Sequence, residues 1–482
     1  MPLHISPPAS PVPSRGWRWL ILVLLLQAIW LAGCGGGDDD TQQSSAQGSS
    51  NQAVTGTNTG TSTGTTSTGT TGTGTTSTGT TSTGTTSTGT TNTGTTNTGT
   101  TGTGSTVNTS ATSCDTATGR VLQVGAGQTY AVPSAAAAVA QDGDVIKIAA
   151  GDYRGDVATW SANNLTICGV GGGRAVLYAP ASISNGKAIW VISGNGDTID
   201  SIDFHNATVP DQNGAGIRAE NTGSLLVRNS GFFDNDEGLL SDNTSTATIT
   251  IEGSEFARNG YGDGQSHNLY IGQIAKLTVR NSFFHEAKIG HNLKSRAASN
   301  DIQNSYFMDG PTGTSSYLAD FPNGGAVYLR GNLLQKGPLS ENHTAAIAYG
   351  EEGLPWSTNT LTMVHNTVVM NSGSNFLLVT TATQSVALTA NLLAGADNPG
   401  LLTGGFTVGN VTQTSDITAD AADLPGASSI SQPDFWPDAT LLARVQLSGV
   451  PDPSYVTDEP APFVARTITG ASRVAGALQS AP

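Results

Sequence analysis

Two histidine-containing segments with matching starts lie in the middle of the chain. The segment His267–Tyr270 has the sequence His-Asn-Leu-Tyr, and the segment His291–Arg296, 24 residues later, has the sequence His-Asn-Leu-Lys-Ser-Arg. Together they supply imidazole, amine, guanidinium and phenol groups at matching positions. Such groups transfer protons and neutralise anions in acid–base catalysis. These segments are therefore the first candidates for a functional site.

The charge of this region differs from that of the whole chain. The 482 residues include 20 Lys and Arg and 36 Asp and Glu, which gives a net charge of −16. Residues 276–296 nevertheless contain five basic residues and one acidic residue, Glu286. A basic patch with aromatic residues on an acidic protein attracts a polyanion locally while the remaining surface repels it. The acidic composition excludes a generally basic nucleic-acid binder, so we expect no nucleic-acid partner.

The elements that must position these residues follow a repeat. Short alternating strands rich in β-branched residues end at an Asn or a Gly, usually followed by Ser or Thr. These end residues are Asn229, Gly253, Asn281, Asn304, Asn332, Asn366 and Asn391. Their separations range from 23 to 34 residues. Strands repeating at this period predict a solenoid in which each unit packs on its neighbours. We expect the end residues to stack as an internal amide ladder.

This pattern resembles the right-handed parallel β-helix family, which contains pectate lyases and polyuronate epimerases. The resemblance covers about residues 120–410, and it also rests on a small helix predicted over 129–141 and a glycine-rich turn, Gly169–Gly173. It implies an all-β solenoid with an N-terminal capping helix. Lyases of the family generally use Lys or Arg as the base, with Arg or calcium neutralising the substrate carboxylate, and related epimerases use His.

The resemblance implies β-elimination of an acidic polysaccharide and assigns roles to the two segments. Lys294 or His291 is the candidate base, Arg296 the carboxylate partner, and Tyr270 or Tyr317 the proton donor or a stacking platform for a sugar. The further candidates for substrate binding are His267, Asn268, Asn292, Tyr317, Asp320 and Arg218. The enzyme would be a polysaccharide lyase or an epimerase. No cofactor is required, although Asp234–Glu237 and Glu351–Glu352 could bind calcium.

Two other functions fit the same residues. A non-catalytic carbohydrate-binding or adhesive surface protein needs only exposed Tyr and Asn side chains along a groove. A structural solenoid would have Lys294 and Arg296 paired within an ion network, for example with Asp320 from the next turn, and its histidines satisfied by the backbone. A β-helix hosts all three functions, so the fold does not decide between them.

The remaining sequence indicates how the domain is delivered. Residues 1–33 resemble a lipoprotein signal peptide, because an apolar segment ends in Leu-Ala-Gly before Cys34. The resemblance implies lipidation of Cys34, export and anchoring to the bacterial outer membrane; an ordinary signal peptide or an uncleaved anchor is the alternative. Residues 34–112 are a Thr/Gly/Ser-rich segment that we expect to be a disordered tether or an O-glycosylated stalk.

Two further segments complete the predicted organisation. We expect the β-helix to span residues 113–433 and residues 434–482 to form a C-terminal cap with a short helix over 438–447, in a monomer. Cys114 and Cys168 remain after Cys34 and could form a disulfide in an exported protein. The sequence alone leaves that pairing open, because their separation is not visible in it.

Overall fold

The structure is a computed structural model that describes residues 111–373, 375–379, 383–395, 410–447 and 473–478. The predicted signal peptide, Cys34 and the tether up to residue 110 lie outside the described residues. Within the described ranges, no helix is long and apolar enough to cross a membrane.

The chain forms the predicted all-β parallel solenoid, consistent with a right-handed parallel β-helix. Between residues 145 and 379, each coil contributes one strand segment to each of three faces, and the strands of a face pair in parallel with those of the coils before and after. Parallel pairing needs a crossover connection between partner strands. Here the two other faces of the same coil provide that connection.

Face 1 consists of β1 (Val121–Val124), the first halves of β2 (Val145–Arg154) and β4 (Thr166–Tyr178), β6 (Asp197–Asp200), β9 (Ser224–Arg228), β12 (Thr248–Glu252), β15 (Lys276–Arg280), β18 (Ser299–Gln303), β21 (Ala326–Arg330), β24 (Thr360–Val364), β27 (Ser385–Thr389) and β29 (Val411–Thr414). Face 2 consists of the second halves of β2 and β4, then β7 (Ile202–His205), β10 (Gly231–Phe233), β13 (Glu255–Ala257), β16 (Phe283–His285), β19 (Tyr306–Met308), β22 (Leu333–Lys336), β25 (Thr367–Met370), β28 (Leu392–Ala394) and β30 (Ile417–Ala419). Face 3 consists of β3 (Ala158–Trp160), β5 (Ala188–Ile192), β8 (Ala215–Ala219), β11 (Glu237–Ser241), β14 (Leu269–Ile271), β17 (Leu293–Ser295), β20 (Ala319–Phe321), β23 (Ala345–Tyr349) and β26 (Asn375–Val379).

The interior is built from like residues stacked in successive coils. The phenyl rings on the inner side of face 2 form a continuous stack with centroids 4.3 to 5.1 Å apart; they belong to Phe204, Phe232, Phe256, Phe284 and Phe307. Offset-stacked aromatic rings are stabilising beyond the area they bury. In-register pairing thus fixes both the core and, on the outer side of each strand, which side chains become neighbours.

The amide ladder exists, but its register differs from the prediction in the first coils. Asn332, Asn366 and Asn391 do stack: Asn332 and Asn366 each donate from Nδ2 to the side-chain carbonyl of the next Asn at 3.0 Å, and Asn391 donates to the Asp416 carboxylate at 2.9 Å. The residues aligned with them in the earlier coils are serines, whose hydroxyls accept backbone N–H groups at 3.2 Å; they are Ser230, Ser254, Ser282 and Ser305. Asn229 and Gly253 instead occupy the preceding corner position, with φ of 47° and 54°. Asn and Gly are favoured there because they tolerate the left-handed conformation.

The two ends of the solenoid differ in construction. At the N-terminal end, Cys114 and Cys168 form a disulfide with sulfur atoms 2.07 Å apart, and the first coils also carry a short helix, α1 (Pro133–Ala137). The helix is shorter than predicted, and it packs beside β1 and β3. The predicted glycine turn at 169–173 lies within the long strand β4, at a register shift against β2.

The C-terminal segment covers a side of the solenoid. Phe435 and Leu441 are buried with Tyr306 and Leu333, which lie on the outer side of face 2. This segment includes the helix α2 (Ala439–Arg444), β31 (Gln446–Leu447) and β32 (Arg473–Val474), the last two paired antiparallel. The apolar outer side of face 2 in these coils accounts for this position, since burying it removes it from water.

Candidate functional site

The candidate residues come together on the outer side of face 3. Tyr270 of β14 pairs in register with Lys294 of β17, and Lys294 pairs with Asp320 of β20. Neighbouring strands lie about 4.8 Å apart, so these three side chains form one column across three coils. Arg296 follows β17 directly. The leucines before Tyr270 and Lys294 point into the core and are fully buried, which orients the column outward.

Arg296 is held by two partners. Its Nη1 donates to the Tyr270 hydroxyl, and its guanidinium carbon lies 5.0 Å from the centre of the same ring. Its Nε and Nη2 each donate to a carboxylate oxygen of Glu352 at 2.8 Å. Two parallel bonds of this kind are the geometry in which a guanidinium binds a carboxylate most strongly. The side chain of Arg296 is 18% exposed, so this carboxylate site reaches the surface.

Lys294 lies between two carboxylates. Its Nζ is 3.7 Å from Asp320 Oδ2 and 3.2 Å from Glu352 Oε1. Burial lowers the pKa of Lys294, but the charges of Asp320 and Glu352 raise it by more, so the pKa lies above its ordinary value. The amine is therefore charged at neutral pH. It must lose its proton before it can act as a base, and removal of the carboxylate partners would lower the pKa for that step.

The two histidines form a ladder that fixes their protonation. His267 Nδ1 accepts the backbone N–H of His291 at 3.0 Å, and His291 Nδ1 accepts the backbone N–H of Tyr317 at 3.1 Å. The rings stack with centroids 4.7 Å apart. An acceptor Nδ1 carries no proton, so the proton of each neutral imidazole is assigned to Nε2. Burial lowers the pKa of both rings well below the usual value, so both are neutral.

This ladder determines what His291 can do. Its Nε2 lies 3.4 Å from Asp320 Oδ2 and, in the assigned tautomer, directs its proton at that carboxylate. The Nδ1 lone pair is used by the backbone. His291 therefore acts as a hydrogen-bond donor to Asp320 and offers no lone pair for proton abstraction, which separates its role from that of Lys294.

Asp320 is the buried anion of the group. Its side chain is 3% exposed, and burial raises its pKa, although the charge of Lys294 opposes this. Glu237 lies in the same column as the histidines, and its carboxylate accepts the backbone N–H of His267 at 2.8 Å. Burial raises the pKa of Glu237 well above the usual value. The face thus combines two carboxyl groups whose pKa values are raised by burial with the cations of Lys294 and Arg296.

The loop between β23 and β24, Gly350–Asn359, closes over the group from a later coil. We call it the acidic loop. Glu351 accepts from the Tyr317 hydroxyl at 2.9 Å, and the Trp356 indole donates to the Arg296 carbonyl at 3.1 Å. The side chain of Glu352 is 40% exposed, and Lys294 and Arg296 lower its pKa against the opposing effect of burial. The loop therefore supplies a charged carboxylate directly to both cations.

The other predicted residues lie elsewhere. Asn268 and Asn292 are fully buried in a second internal ladder, where Asn268 Nδ2 donates to Asn292 Oδ1 at 2.7 Å. They precede β14 and β17, so strand alternation does not extend to them. Tyr317 is 7% exposed and next to the group. Arg218 lies on the same face, three strands before Lys294, and pairs with Glu220 at 3.5 Å.

Two residues near the site had no assigned role in the sequence prediction. Glu352 appeared only as half of a possible calcium-binding pair, and its contact with Arg296 spans 56 residues. Lys336 was not singled out; it is fully buried, and its Nζ donates to the Ser316 carbonyl. Its charge contributes to the lowered pKa of His291. No local sequence signal marks either contact, since both depend on how loops fold back.

The predicted calcium-binding segments are engaged in other contacts. Asp234 pairs with Arg258 and Lys288, and Asp236 accepts two backbone N–H groups. Across the described ranges, no group of three or more His, Cys, Asp or Glu side chains is arranged to hold a metal ion.

Comparison with known proteins places this geometry in context. No family model matches the sequence, and no curated protein matches it significantly. Among solved structures, the chain is similar to pectate lyase Pel9A, with 14% identity, a TM-score of 0.48 and coverage of 76% of this chain and 98% of that one. It is also similar to an alginate lyase from Paenibacillus sp. str. FPU-7, with 15% identity, a TM-score of 0.45 and coverage of 61% and 98%. Similarity at this level concerns the parallel β-helix fold and assigns no activity to this chain.

Proposed function

We propose that the face 3 group binds an acidic polysaccharide and cleaves it by β-elimination. The observation that carries this proposal is the convergence of Lys294, Arg296 and the Tyr270 hydroxyl on two adjacent strands at the surface. Arg296 already binds a carboxylate through two bonds, with Lys294 beside it. A uronate carboxylate in the position of the Glu352 carboxylate would meet the same two cations.

The three side chains match the steps of the reaction. Arg296 neutralises the uronate carboxylate, which makes the adjacent carbon–hydrogen bond more acidic. Neutral Lys294 takes that proton, and the electron pair of the broken bond forms a carbon–carbon double bond. The glycosidic oxygen leaves with the electrons of its bond to the sugar, and the Tyr270 hydroxyl supplies its proton. The products are an unsaturated uronate at one chain end and a hydroxyl at the other.

The proton inventory of the site favours Lys294 over His291 as the base. His291 uses its Nδ1 lone pair on the backbone and directs its Nε2 proton to Asp320. Lys294 has a raised pKa, so the fraction of neutral amine grows with pH. Elimination should therefore accelerate as the solution becomes more alkaline.

A second candidate is binding without catalysis. The observation that favours it is that Lys294 and Arg296 are both paired with carboxylates, as an ion network would have them. Such a site would retain polyuronates through charge and release them unchanged. The same pairing would also suit a structural solenoid with no ligand at all.

We further propose the delivery of this domain to the cell exterior. The segment before Cys34 supports export and lipidation, and the Thr/Gly-rich residues 34–112 would hold the domain away from an outer membrane. Labelling with a radioactive fatty acid, lost in Cys34→Ala, would test it.

The experiment that tests the activity uses the protein with alginate, pectate, hyaluronan and chondroitin, with and without calcium. Ultraviolet absorbance detects the unsaturated product. We expect Lys294→Ala and Arg296→Ala to reduce the rate by about 10²- to 10⁴-fold, the usual contribution of such groups. Lys276→Ala, an exposed lysine on face 1, is the matched control. Binding that these variants abolish, without product, would indicate the non-catalytic function. If the protein neither binds any of these polymers nor forms product from them, polyuronates are excluded as its ligands.

A further inference from the structure

Glu352 occupies the position that the proposed substrate carboxylate would take. Its two oxygens receive Nε and Nη2 of Arg296 at 2.8 Å, and Oε1 lies 3.2 Å from Lys294 Nζ. A carboxylate on a polyuronate could make no better set of contacts with these two cations. As long as Glu352 stays in place, it occupies the Nε–Nη2 edge of Arg296, so a second carboxylate cannot form the same pair of parallel bonds there.

Asp320 and Glu352 are attached in different ways. Asp320 belongs to strand β20, pairs in register with Lys294 and is 3% exposed, so it is a fixed part of the site. Glu352 is 40% exposed and reaches Arg296 from the acidic loop, two coils further along. The loop turns at Gly350 and Gly353, which have φ of 85° and 96°.

The backbone of the acidic loop is anchored beside the site, for example by the Gly350 N–H, which donates to the Phe321 carbonyl at 2.9 Å, and by the bond from Tyr317 to Glu351. The Glu352 N–H donates to the Pro322 carbonyl at 2.9 Å, and the Trp356 indole donates to the Arg296 carbonyl at 3.1 Å. A carboxylate from solution would form the same two bonds to Arg296 that Glu352 gives up, so the exchange would leave no mostly buried cation unpaired.

We propose that Glu352 is an internal competitor that occupies the carboxylate site and is displaced when a polyuronate binds. This inference rests on the proposed function of the site. Two consequences follow. The site responds to ligands that carry a carboxylate, since a neutral glycan offers Arg296 nothing in exchange for Glu352. The apparent affinity is also reduced by the fraction of molecules in which Glu352 is bound.

The first test compares Glu352→Gln with wild type by titration calorimetry, with polygalacturonate and alginate as the probes and dextran as the neutral glycan. We expect the variant to bind the polyuronates about tenfold more tightly, because Gln keeps the size of Glu but loses the charge that competes. Glu252→Gln on face 1 removes the same charge at a distance and serves as the control. It should leave the affinity within about twofold of wild type.

The outcomes separate this inference from the proposed function. The internal competitor is supported if Glu352→Gln binds polyuronates more tightly than both wild type and Glu252→Gln. Binding by Glu352→Gln when wild type does not bind at all also supports it. Equal binding by wild type and Glu352→Gln overturns it and leaves the proposed function standing. If neither protein binds a polyuronate, both fail.

A second measurement uses only the wild-type protein, so it is independent of whether Glu352→Gln folds. Hydrogen exchange with mass spectrometry reports on the backbone N–H of Glu352 and Gly353, which are bonded within or beside the loop. Polyuronate binding to wild type should accelerate exchange in this loop while neighbouring β23 remains protected. Unchanged or slower exchange in the loop of the ligand-bound protein would overturn the displacement.

Discussion

Replacing Lys336 with methionine gives a quantitative test of the electrostatics behind the site. Lys336 ends β22 and is fully buried, and its Nζ donates to the Ser316 carbonyl in the loop before β20. Burial lowers its pKa from 10.5 to about 8, although Asp309 and Glu341 oppose the change. At pH 7 the amine is thus charged in an environment that disfavours the charge.

The size of the effect follows from linkage. The fall in pKa from 10.5 to about 8 corresponds to about 3 kcal/mol, at about 1.4 kcal/mol for each pKa unit. Between these pH values the unfolded chain binds the proton and the folded chain does not, so stability rises with pH over that window. Methionine removes the charge but also one hydrogen bond, which contributes about 1 kcal/mol. We therefore expect Lys336→Met to be more stable than wild type by about 2 kcal/mol at neutral pH.

The assay is the thermal unfolding midpoint of both proteins measured by calorimetry from about pH 7 to pH 10. The advantage of the variant should shrink as the pH rises above 8 and reverse before 10.5, because the lost hydrogen bond, about 1 kcal/mol, remains once wild-type Lys336 is neutral in the folded state. Lys276→Met, an exposed lysine on β15, should show no such trend. A Lys336→Met variant that is less stable at neutral pH, or whose advantage does not vary with pH, would refute the reasoning.

Two further predictions concern the site and the interior. Asp320→Asn removes a charge that raises the pKa of Lys294. The increase of the elimination rate with pH should therefore begin at a lower pH in the variant. A pH–rate profile identical to that of wild type would contradict the role of Lys294 as the base. Asn366→Ala leaves the Asn332 amide and the Leu329 carbonyl without their partners in the ladder. The free energy of unfolding, measured by urea denaturation, should therefore fall by at least about 3 kcal/mol relative to wild type. A decrease of less than about 1 kcal/mol would show that the ladder contributes little.

The fold was predictable because the same strand pattern recurs in every coil of a solenoid. Strand ends recurring from Asn229 to Asn391 are sufficient to infer parallel coils, since each unit packs on the next. The ladder was misplaced by one residue in the early coils for a physical reason. Asn-Ser can place Asn at the left-handed corner or in the stack, and both positions favour it. Later pairs such as His365-Asn366 show that the first residue lies at the corner and the second in the ladder, since His365 has φ of 51° and Asn366 stacks on Asn391.

The site was partly predictable for the same reason. A shared His-Asn-Leu start implies that Tyr270 and Lys294 are neighbours, and they pair in register. The burial of Asn268 and Asn292 was not visible, because strand alternation was extended to the residue before each strand. The contact between Glu352 and Arg296 depends on the path of a ten-residue loop. No periodicity encodes such a path, so local sequence could not predict it.

The register also explains why a loop carboxylate is present at this point. On face 1, charges alternate along one column, where Glu252 pairs in register between Arg228 and Arg280. On face 3 the coil before Lys294 and Arg296 offers only Tyr270 and Gly272, and the coil after offers Asp320 beside Lys294. In that same register Arg296 faces Pro322 and has no acidic neighbour on a strand. A guanidinium that is mostly buried and lacks a strand partner must bind an anion from outside the column. Glu352 supplies it here, and an incoming carboxylate would satisfy the same requirement.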